Sequence, residues 1–207
     1  MFYSCHSLSS ITLPTSWGSI TNVSYMFRNC YSLSSVTLPT SWGSITDVSY
    51  MFQSCYSLSS VTLPTSWGSI TNVSYMFQSC YSLRTINNLQ YLGHQTTASD
   101  FTDFLAYAEA ISGTLTIASK LSKIGIYGQS GKSLKTTGIR LTNGANTWTG
   151  SSPQINVSYC SMDATALNTL FGDLETISGK TINITGNPGA AKCDKTIATN
   201  KGWTVTG

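Results

Sequence analysis

The chain has 207 residues, of which only 9% are Asp, Glu, Lys or Arg, compared with roughly 25% in an average soluble domain. Its 33 serines and 29 threonines make up almost a third of the chain, and the net charge is +3 with the basic residues scattered along the sequence. This composition excludes the basic patch of a nucleic-acid binder, and the absence of any run of about 18 apolar residues excludes a membrane-spanning helix.

The charged residues divide the chain into two regions. Residues 1–92 contain three charged side chains, whereas residues 93–207 carry nine basic and seven acidic ones. We therefore predict a boundary near residue 92. The 41% hydrophobic content is enough for a sizeable core and argues against disorder.

The first region is a tandem repeat whose three copies begin at Cys5, Cys30 and Cys55. Residues 30–54 and 55–79 differ at one position, where Asp47 is replaced by Asn72, and residues 5–29 form the third, more divergent copy. A fixed period of this length indicates a solenoid, in which each copy buries its apolar residues by stacking on the next.

Each copy contains the pattern of a short strand followed by a return segment. Leu33, Val36 and Leu38 give the spacing L-x-x-V-x-L, which is typical of a leucine-rich repeat strand, and Pro39 ends it because proline cannot donate to a strand pair. We predict an α/β solenoid of the leucine-rich repeat type, built from 25-residue repeats, with parallel strands in register one copy apart. The return segment contributes further core residues: Trp42, Ile45, Val48, Met51 and Phe52.

One string carries a family resemblance. S-Y-M-F-x-x-C-x-S-L-x-x-V-x-L-P occurs at residues 24–39 and 49–64. It resembles the BspA-like, treponemal-type leucine-rich repeats of bacterial and phage surface proteins, over roughly residues 1–86. The resemblance implies adhesion or receptor binding and carries over no catalytic residue. Where that family has leucine, this chain has a larger core residue, tryptophan, at positions 17, 42 and 67.

The second region begins with a segment of helical spacing. Residues 97–112 read as an amphipathic helix, with Ser99 as a suitable N-cap. The predicted apolar face consists of Phe101, Phe104, Leu105, Ala108 and Ile111.

The rest of this region alternates strands and helices. Ile155, Ile182 and Trp203 mark three strands at spacings close to the period of the repeats, which is typical of a degenerate α/β leucine-rich repeat. We therefore predict that residues 93–207 continue and cap the solenoid. The ending CDKTIATNKGWTV resembles the carboxy-terminal ends of phage and prophage tail-associated adhesins. The predicted strands are 114–118, 123–127, 138–142, 154–159, 181–185 and Trp203–Thr206, and the predicted helices are 163–174 and 189–199.

The six cysteines are predicted to be free thiols. Successive copies would stack them closely enough for a disulfide, but parallel side chains in register rarely offer its torsion angle. Cys160 and Cys193, on a predicted strand and helix, are assigned to packing. Metal binding is not expected, because His6 and His94 are the only histidines. The column of thiols predicted to be buried is Cys5, Cys30, Cys55 and Cys80.

The string IGIYGQSGKS at residues 124–133 ends like a phosphate-binding loop. The glycine that this motif requires five positions before Gly131 is Ile126, and the following LKTTGIRLT reads as a strand instead of a helix. We therefore expect a tight polar turn and no nucleotide cofactor.

Four glycosylation sequons, Asn-x-Ser/Thr, occur along the chain. In a sequence this rich in serine and threonine they are expected by chance, and they would matter only in a eukaryotic secretory route. They begin at Asn22, Asn72, Asn156 and Asn183.

Catalysis is not expected. Two histidines leave most serine or cysteine nucleophiles without a base, and the acidic residues occur singly, without a carboxylate pair for acid–base chemistry. The sequence therefore predicts a protein that is not an enzyme and carries no cofactor.

The repeats predict a periodic ligand-binding surface, here named the hydroxyl–tyrosine face. Outward positions of the strands carry hydroxyl groups, and a tyrosine precedes each strand. Tyrosine supplies contact area at a low entropic cost, which suits recognition of glycans or polar loops. Alternatively, the tyrosines only cover the wall of the solenoid. The face consists of Ser35, Thr37, Ser60, Thr62, Tyr31, Tyr56 and Tyr81.

These features predict a non-enzymatic receptor-binding module of a phage or prophage tail fibre, recognising a bacterial surface glycan or protein. The alternatives are a bacterial cell-surface adhesin that binds host protein or matrix, and a structural spacer. We therefore expect the protein to be located in the virion or at the bacterial cell surface. Since Met1 enters in mid-copy without a secretory signal or a polar cap, we expect more protein upstream or a partner docked at the amino-terminal end.

Overall fold

A computed structural model describes residues 1–15, 17–67, 69–93, 97–144 and 146–207. It is a parallel β solenoid of about eight turns, with a repeat spacing of roughly 24 residues. The predicted solenoid of the leucine-rich repeat type is therefore confirmed. In the part of the chain described, no helix has the length and apolar character needed to cross a membrane.

The solenoid contains thirteen short strands and two helices in the described residues. A 3₁₀ turn at Leu89–Tyr91 follows the sixth strand. The helices are α1 (Ala164–Asp173) and α2 (Thr196–Thr199). The strands are β1 (Ser10–Thr12), β2 (Ser35–Thr37), β3 (Ser41–Trp42), β4 (Ser60–Thr62), β5 (Ser66–Trp67), β6 (Thr85–Asn87), β7 (Ser99–Phe101), β8 (Ser112–Ile117), β9 (Leu121–Gly125), β10 (Lys135–Leu141), β11 (Ile155–Asn156), β12 (Lys180–Asn183) and β13 (Trp203–Thr206).

Strand pairing in the repeats has the predicted direction and register. Strand β1 pairs with β2, β3 with β5, and β4 with β6, all parallel and one copy apart, so that Ser10 lies opposite Ser35. Towards the carboxy terminus a five-stranded parallel sheet has the order β13-β12-β11-β9-β7, and β8 pairs with β10. One hydrophobic core runs through all turns. The boundary near residue 92 stays a prediction.

The core is built from columns of identical residues. Leu33, Leu58 and Leu83 are fully buried, as the repeat predicts. A column of phenylalanines stacks beside them, with ring centroids 5.4 to 5.5 Å apart and rings nearly parallel. Such stacking joins each copy to its neighbours, because a single copy cannot enclose these rings.

The return segments are series of tight turns that never become helical. Amides alternate between two kinds of acceptor: Met26 donates to Val23 three residues back, whereas Phe27 donates to Met51 in the next copy. Tyr25 has a φ of 60°, in the left-handed region that interrupts a right-handed helix. The backbone therefore satisfies half of its donors between turns, which holds the copies in register.

The helix predicted over residues 97–112 is wrong. Ser99, the predicted N-cap, lies in β7, where its hydroxyl donates to the carbonyl of Ile70, and tight turns follow. The segment is a further solenoid turn, and its three-residue apolar spacing imitates a helix. Its apolar residues Phe101, Phe104, Leu105, Ala108 and Ile111 have the same spacing as Val73, Met76, Phe77, Cys80 and Leu83 of the preceding copy.

A column of Asn and Asp residues, here named the Asx column, runs through the solenoid in two parts that are separated by β9. In each member the side-chain oxygen accepts from the backbone N–H two residues later, which is an Asx turn. Every sequon of the chain lies in this column, so the four motifs share a structural role that the chance expectation missed. The members are Asn22, Asp47, Asn72, Asp100, Asn156 and Asn183.

The carboxy-terminal turns contain the predicted helix 163–174 as α1, whose first turn is capped by the side chain of Asp163. Its last carbonyls, at Phe171, Gly172 and Leu174, accept from the ammonium of Lys201.

Other predicted elements of this region are shorter than expected. The helix predicted at 189–199 is confined to the single turn of α2, and the strand predicted at 154–159 is confined to β11. Ile155 pairs with Ile182 as the sequence predicts, but the partner of Ile182 on the last strand is Val205 and not Trp203. The strand predicted at Trp203–Thr206 is β13.

All six cysteines are free, and the predicted buried column is confirmed for Cys30, Cys55 and Cys80. Each of these thiols donates to the carbonyl of the phenylalanine 28 residues earlier, at 3.0 to 3.2 Å. Cys5, the fourth member of the predicted column, is exposed, so the prediction is wrong for this residue. The placements of the last two cysteines were wrong: Cys160 is buried just after β11, and Cys193 precedes α2.

Burial predicts a sharp division in thiol reactivity. It raises the pKa of Cys80 and Cys160 to about 12, and it also raises the pKa of Cys30 and Cys55. Because the thiolate is the reactive form, we expect a thiol reagent at pH 8 to modify Cys5 promptly. Mass spectrometry should show the buried four modified only after denaturant is added; their rapid reaction in the folded protein would contradict the buried column.

The same shifts predict how stability depends on pH. Above the ordinary thiol pKa of about 8.5 the unfolded chain loses protons that the folded chain retains. The free energy of unfolding should therefore be unaffected by these thiols at neutral pH. It should decrease as the pH rises from about 8.5 towards 12.

Candidate functional site

The hydroxyl–tyrosine face lies at the surface. Ser35, Thr37, Ser60 and Thr62 are exposed, because alternation along β2 and β4 turns Val36 and Val61 inward. Tyr31 is half-buried, and Tyr56 and Tyr81 are 38% and 44% exposed. The two sets form separate columns: among the described residues no hydrogen bond joins a strand hydroxyl to one of these tyrosines.

The tyrosine column is a continuous ring stack. Ring centroids of His6 and Tyr31 are 4.6 Å apart, those of Tyr31 and Tyr56 are 4.8 Å apart, and those of Tyr56 and Tyr81 are 5.1 Å apart. The rings are within 22° of parallel, so they cover one another's faces. A ligand on this column meets ring edges and hydroxyl groups, which favours hydrogen bonding over stacking.

A depression separates β2 from β4 within this face. Strands β2 and β4 contact each other but belong to different sheets, each paired on its other side. The depression has a volume of about 320 Å³ and is lined by residues 36–40, residues 62–65 and Asn88. Thr37 and Thr62 line opposite sides of it, so the structure brings together two residues that the sequence selected only by their periodicity.

The lining extends beyond the residues predicted from the sequence. The segments L-P-T that follow β2 and β4 contribute Pro39, Thr40, Pro64 and Thr65. Their identical recurrence one period apart was the available signal, but the prediction used them only as the end of the strand. Asn88 is positioned by donating its side-chain N–H to the carbonyl of Leu63.

The chemistry of this depression is neutral and hydroxylic. No Asp, Glu, Lys, Arg or His lines it. Threonine hydroxyls both donate and accept hydrogen bonds, and the two prolines of the lining are buried. This combination suits a ligand that presents hydroxyl or amide groups and no charge, such as a glycan or a polar loop.

A second tyrosine column, Tyr25, Tyr50 and Tyr75, stacks with centroids 4.5 to 4.6 Å apart. The guanidinium of Arg28 lies 5.5 Å from the ring centroid of Tyr25 and 5.6 Å from that of Tyr50. Burial, followed by the charge of Asp103, raises the pKa of Tyr75. The column is therefore held by internal contacts.

The remaining motifs bring no reactive groups together in the described residues. No group of three His, Cys, Asp or Glu side chains converges there as a metal site, and His94 lies outside the described residues. The segment after Gly131, Lys132 and Ser133 is strand β10, as the sequence predicts. A phosphate-binding loop would require a helix at that point.

Comparison with known proteins identifies the repeats. The sequence profile described as "BspA type Leucine rich repeat region" matches residues 1–135 as six copies. No curated protein and no solved structure matches the chain. The match extends past residue 92 and through the turn at residues 97–112 that sequence periodicity had assigned to a helix.

Proposed function

The chain belongs to the BspA-type leucine-rich repeat family, and on that premise we propose that it is a non-enzymatic adhesion module that binds a surface receptor through the hydroxyl–tyrosine face. Proteins with this repeat are generally surface-associated, and their solenoids are typically non-catalytic. The observation that carries the proposal is the neutral depression between β2 and β4, lined by Thr37 and Thr62.

The receptor is proposed to be an uncharged glycan or a polar protein loop. Charged groups of a ligand would find no counter-charge in the depression, whereas hydroxyl and amide groups would find donors and acceptors. The irregular segments of the carboxy-terminal turns are the alternative location for recognition, since a uniform column offers little to distinguish one ligand from another.

Two settings are proposed for this module. The carboxy-terminal resemblance to tail-associated adhesins favours a phage or prophage tail fibre that attaches to a bacterial surface. The family match favours a bacterial cell-surface adhesin that binds host protein or matrix. Neighbouring genes distinguish them, since tail and lysis genes indicate a phage, and a sorting or anchoring domain indicates a bacterial surface protein.

Lysine at both Thr37 and Thr62 is expected to weaken attachment to target cells by about tenfold or more. The two side chains would place charge and bulk inside the depression, and losses of this size are typical where central contact residues are changed. Binding is measured with labelled protein on whole bacterial cells and on a glycan array.

The matched control carries the same added charge elsewhere on the surface. Thr165 and Thr204 are exposed and lie outside the depression, so the variant with lysine at both should bind like the natural protein. Both double variants should unfold within about 0.5 kcal/mol per substitution of the natural protein. Unchanged binding by the Thr37/Thr62 variant would overturn the proposed site. Equal losses of binding in both double variants would also overturn it, because the loss would then be an effect of net charge.

A further inference from the structure

A second depression lies between the first two copies, on residues that the proposed receptor site does not use. Thr15, Trp17, Gly18 and Ile20 line one side, and residues 41–45 line the other, enclosing about 240 Å³. That volume is below the range of sites for drug-sized ligands, which begins at about 300 Å³. It has room for one small unit of a larger ligand.

The depression lies between two copies of one string. The string T-S-W-G-S-I occurs in all three copies. In the second and third copies it contains strands β3 and β5, which pair Ser41 with Ser66 and Trp42 with Trp67. The described part of the first copy's string, Thr15 and residues 17–20, forms no strand and leaves a cleft against β3.

The tryptophan rings differ from every tyrosine and phenylalanine stack within the repeats. Trp17 and Trp42 have centroids 6.0 Å apart and are tilted by 33°, whereas the repeat phenylalanines are within 11° of parallel. Trp17 is half-buried, so part of its ring remains open to a ligand. The negative face of an indole attracts the polarised C–H groups of a sugar ring.

The inner side of the depression includes a buried tryptophan. Trp42 lines it and is only 2% exposed, and its indole N–H has no acceptor among the described residues. By contrast, the indole of Trp17 donates to the carbonyl of Pro14. The indole N–H of Trp67, which does not line the depression, also has no acceptor among the described residues, so this feature belongs to the tryptophan column and not to the depression alone.

The lining carries no charge. The charged residues of the repeat region are Arg28, Asp47 and Arg84, and none of them lines the depression. The polar residues of the lining include Ser41 and Ser44, which carry hydroxyl groups.

We propose that this depression binds one unit of a neutral sugar, with the sugar ring against Trp17 and its hydroxyl groups hydrogen-bonded to Ser41 and Ser44. An aromatic face beside small hydroxyl donors matches the alternating C–H and O–H surfaces of a pyranose. The site is independent of the hydroxyl–tyrosine face, and its test therefore does not depend on the proposed receptor site.

Indole N–H signals in a ¹⁵N–¹H NMR spectrum test the proposal directly. The probes are neutral oligosaccharides built from glucose, galactose, mannose or N-acetylglucosamine, each added up to about 10 mM to detect weak single-site binding. At least one should shift the signals of Trp17 and Trp42. The signals of Trp148 and Trp203 serve as internal controls, because their indoles donate to Glu175 in the carboxy-terminal turns.

Matched substitutions separate binding from folding. Trp17→Leu should weaken binding about tenfold or more. The same change in the third copy, Trp67→Leu, should leave it intact, because Trp67 does not line the depression. Gly43→Gln should block the site without strain, since a Cβ at Gly43 meets open space. Gly144→Gln, at another glycine with open space, is its control.

Three results would overturn the proposal. The first is the absence of any shift at Trp17 and Trp42 with every saccharide. The second is an equal loss of binding in Trp17→Leu and Trp67→Leu. The third is unchanged binding in Gly43→Gln, which also decides the question if Trp17→Leu fails to fold. Loss of cell attachment in the Thr37/Thr62 variant with these shifts preserved would show that the two surfaces act separately.

Discussion

Replacing Phe52 with alanine is expected to lower the free energy of unfolding by about 3–5 kcal/mol. The ring is fully buried and stacks between Phe27 at 5.5 Å and Phe77 at 5.4 Å, so its removal leaves a cavity in the middle of the column. The surrounding copies cannot collapse into that cavity without breaking the register of their strands. Urea unfolding followed by circular dichroism measures the loss.

The matched control is Tyr56→Ala, which removes the middle ring of the tyrosine column at the surface. Tyr56 also stacks between two rings, at 4.8 and 5.1 Å, but it is 38% exposed and outside the core. We expect a loss of about 1 kcal/mol or less, since an exposed ring contributes only its partial burial and its contacts. Equal losses in the two variants would contradict the assignment of the phenylalanine column as the core of the repeats.

Replacing Asn187 with alanine is expected to cost about 2–4 kcal/mol, because several buried backbone groups lose their partner together. The side chain is 6% exposed; its amide donates to the carbonyls of Val157 and Ile184 at 2.8 and 2.9 Å, and its oxygen accepts from the N–H of Met162 at 3.2 Å. It thereby joins two carboxy-terminal turns that lack the strict repeat. Thermal and urea unfolding measure the effect.

Two further variants define the cause. Asn187→Asp keeps the size and the acceptor but removes both donated hydrogen bonds and introduces a charge, so it should destabilise at least as much as alanine. Asn168→Ala removes a surface contact in which Asn168 only accepts from the backbone of Asp194, and it should cost about 1 kcal/mol or less. A mild effect of Asn187→Asp would show that the side chain acts by filling space.

These two changes remove interactions in different parts of the solenoid and leave both proposed binding surfaces in place. In a solenoid each turn contacts mainly its neighbours, so damage in one turn weakens the adjacent interfaces first. Phe52→Ala should therefore affect the repeats more than the carboxy-terminal turns. Hydrogen exchange resolved along the chain would distinguish the two locations.

Several features could be predicted from the sequence because they depend on the spacing of residues that are close together in the chain. The period of the repeat set the distance along the chain between paired strands, and L-x-x-V-x-L with Pro39 located β2. Alternation along that strand gave the exposure of Ser35 and Thr37. The helix predicted at 163–174 is α1, whose first turn is capped by Asp163. In each case the residues involved lie close together in the chain.

The prediction of a helix at residues 97–112 was wrong because the return segments of the repeats have a similar apolar spacing. A return segment built of tight turns places a buried residue at every third position, much as a helix does. What distinguishes the two is the partner of each amide, and half of these partners lie in the next turn. The Asx column was missed similarly, because its meaning appears only when residues of successive turns are stacked on one another.

The sequence by itself determined the solenoid, its period and the uncharged, hydroxyl-rich character of its surface. Only the tertiary structure decided where that surface becomes concave. The strings S-V-T-L-P-T and T-S-W-G-S-I recur unchanged. Strand β4 nevertheless pairs with β6 and is separated from β2 by a depression. Strand β3 pairs with β5, and a second depression separates it from the loop at Trp17. Identical segments acquire different surroundings because pairing depends on the neighbouring turns, and the residues within one copy do not encode which neighbour they will meet.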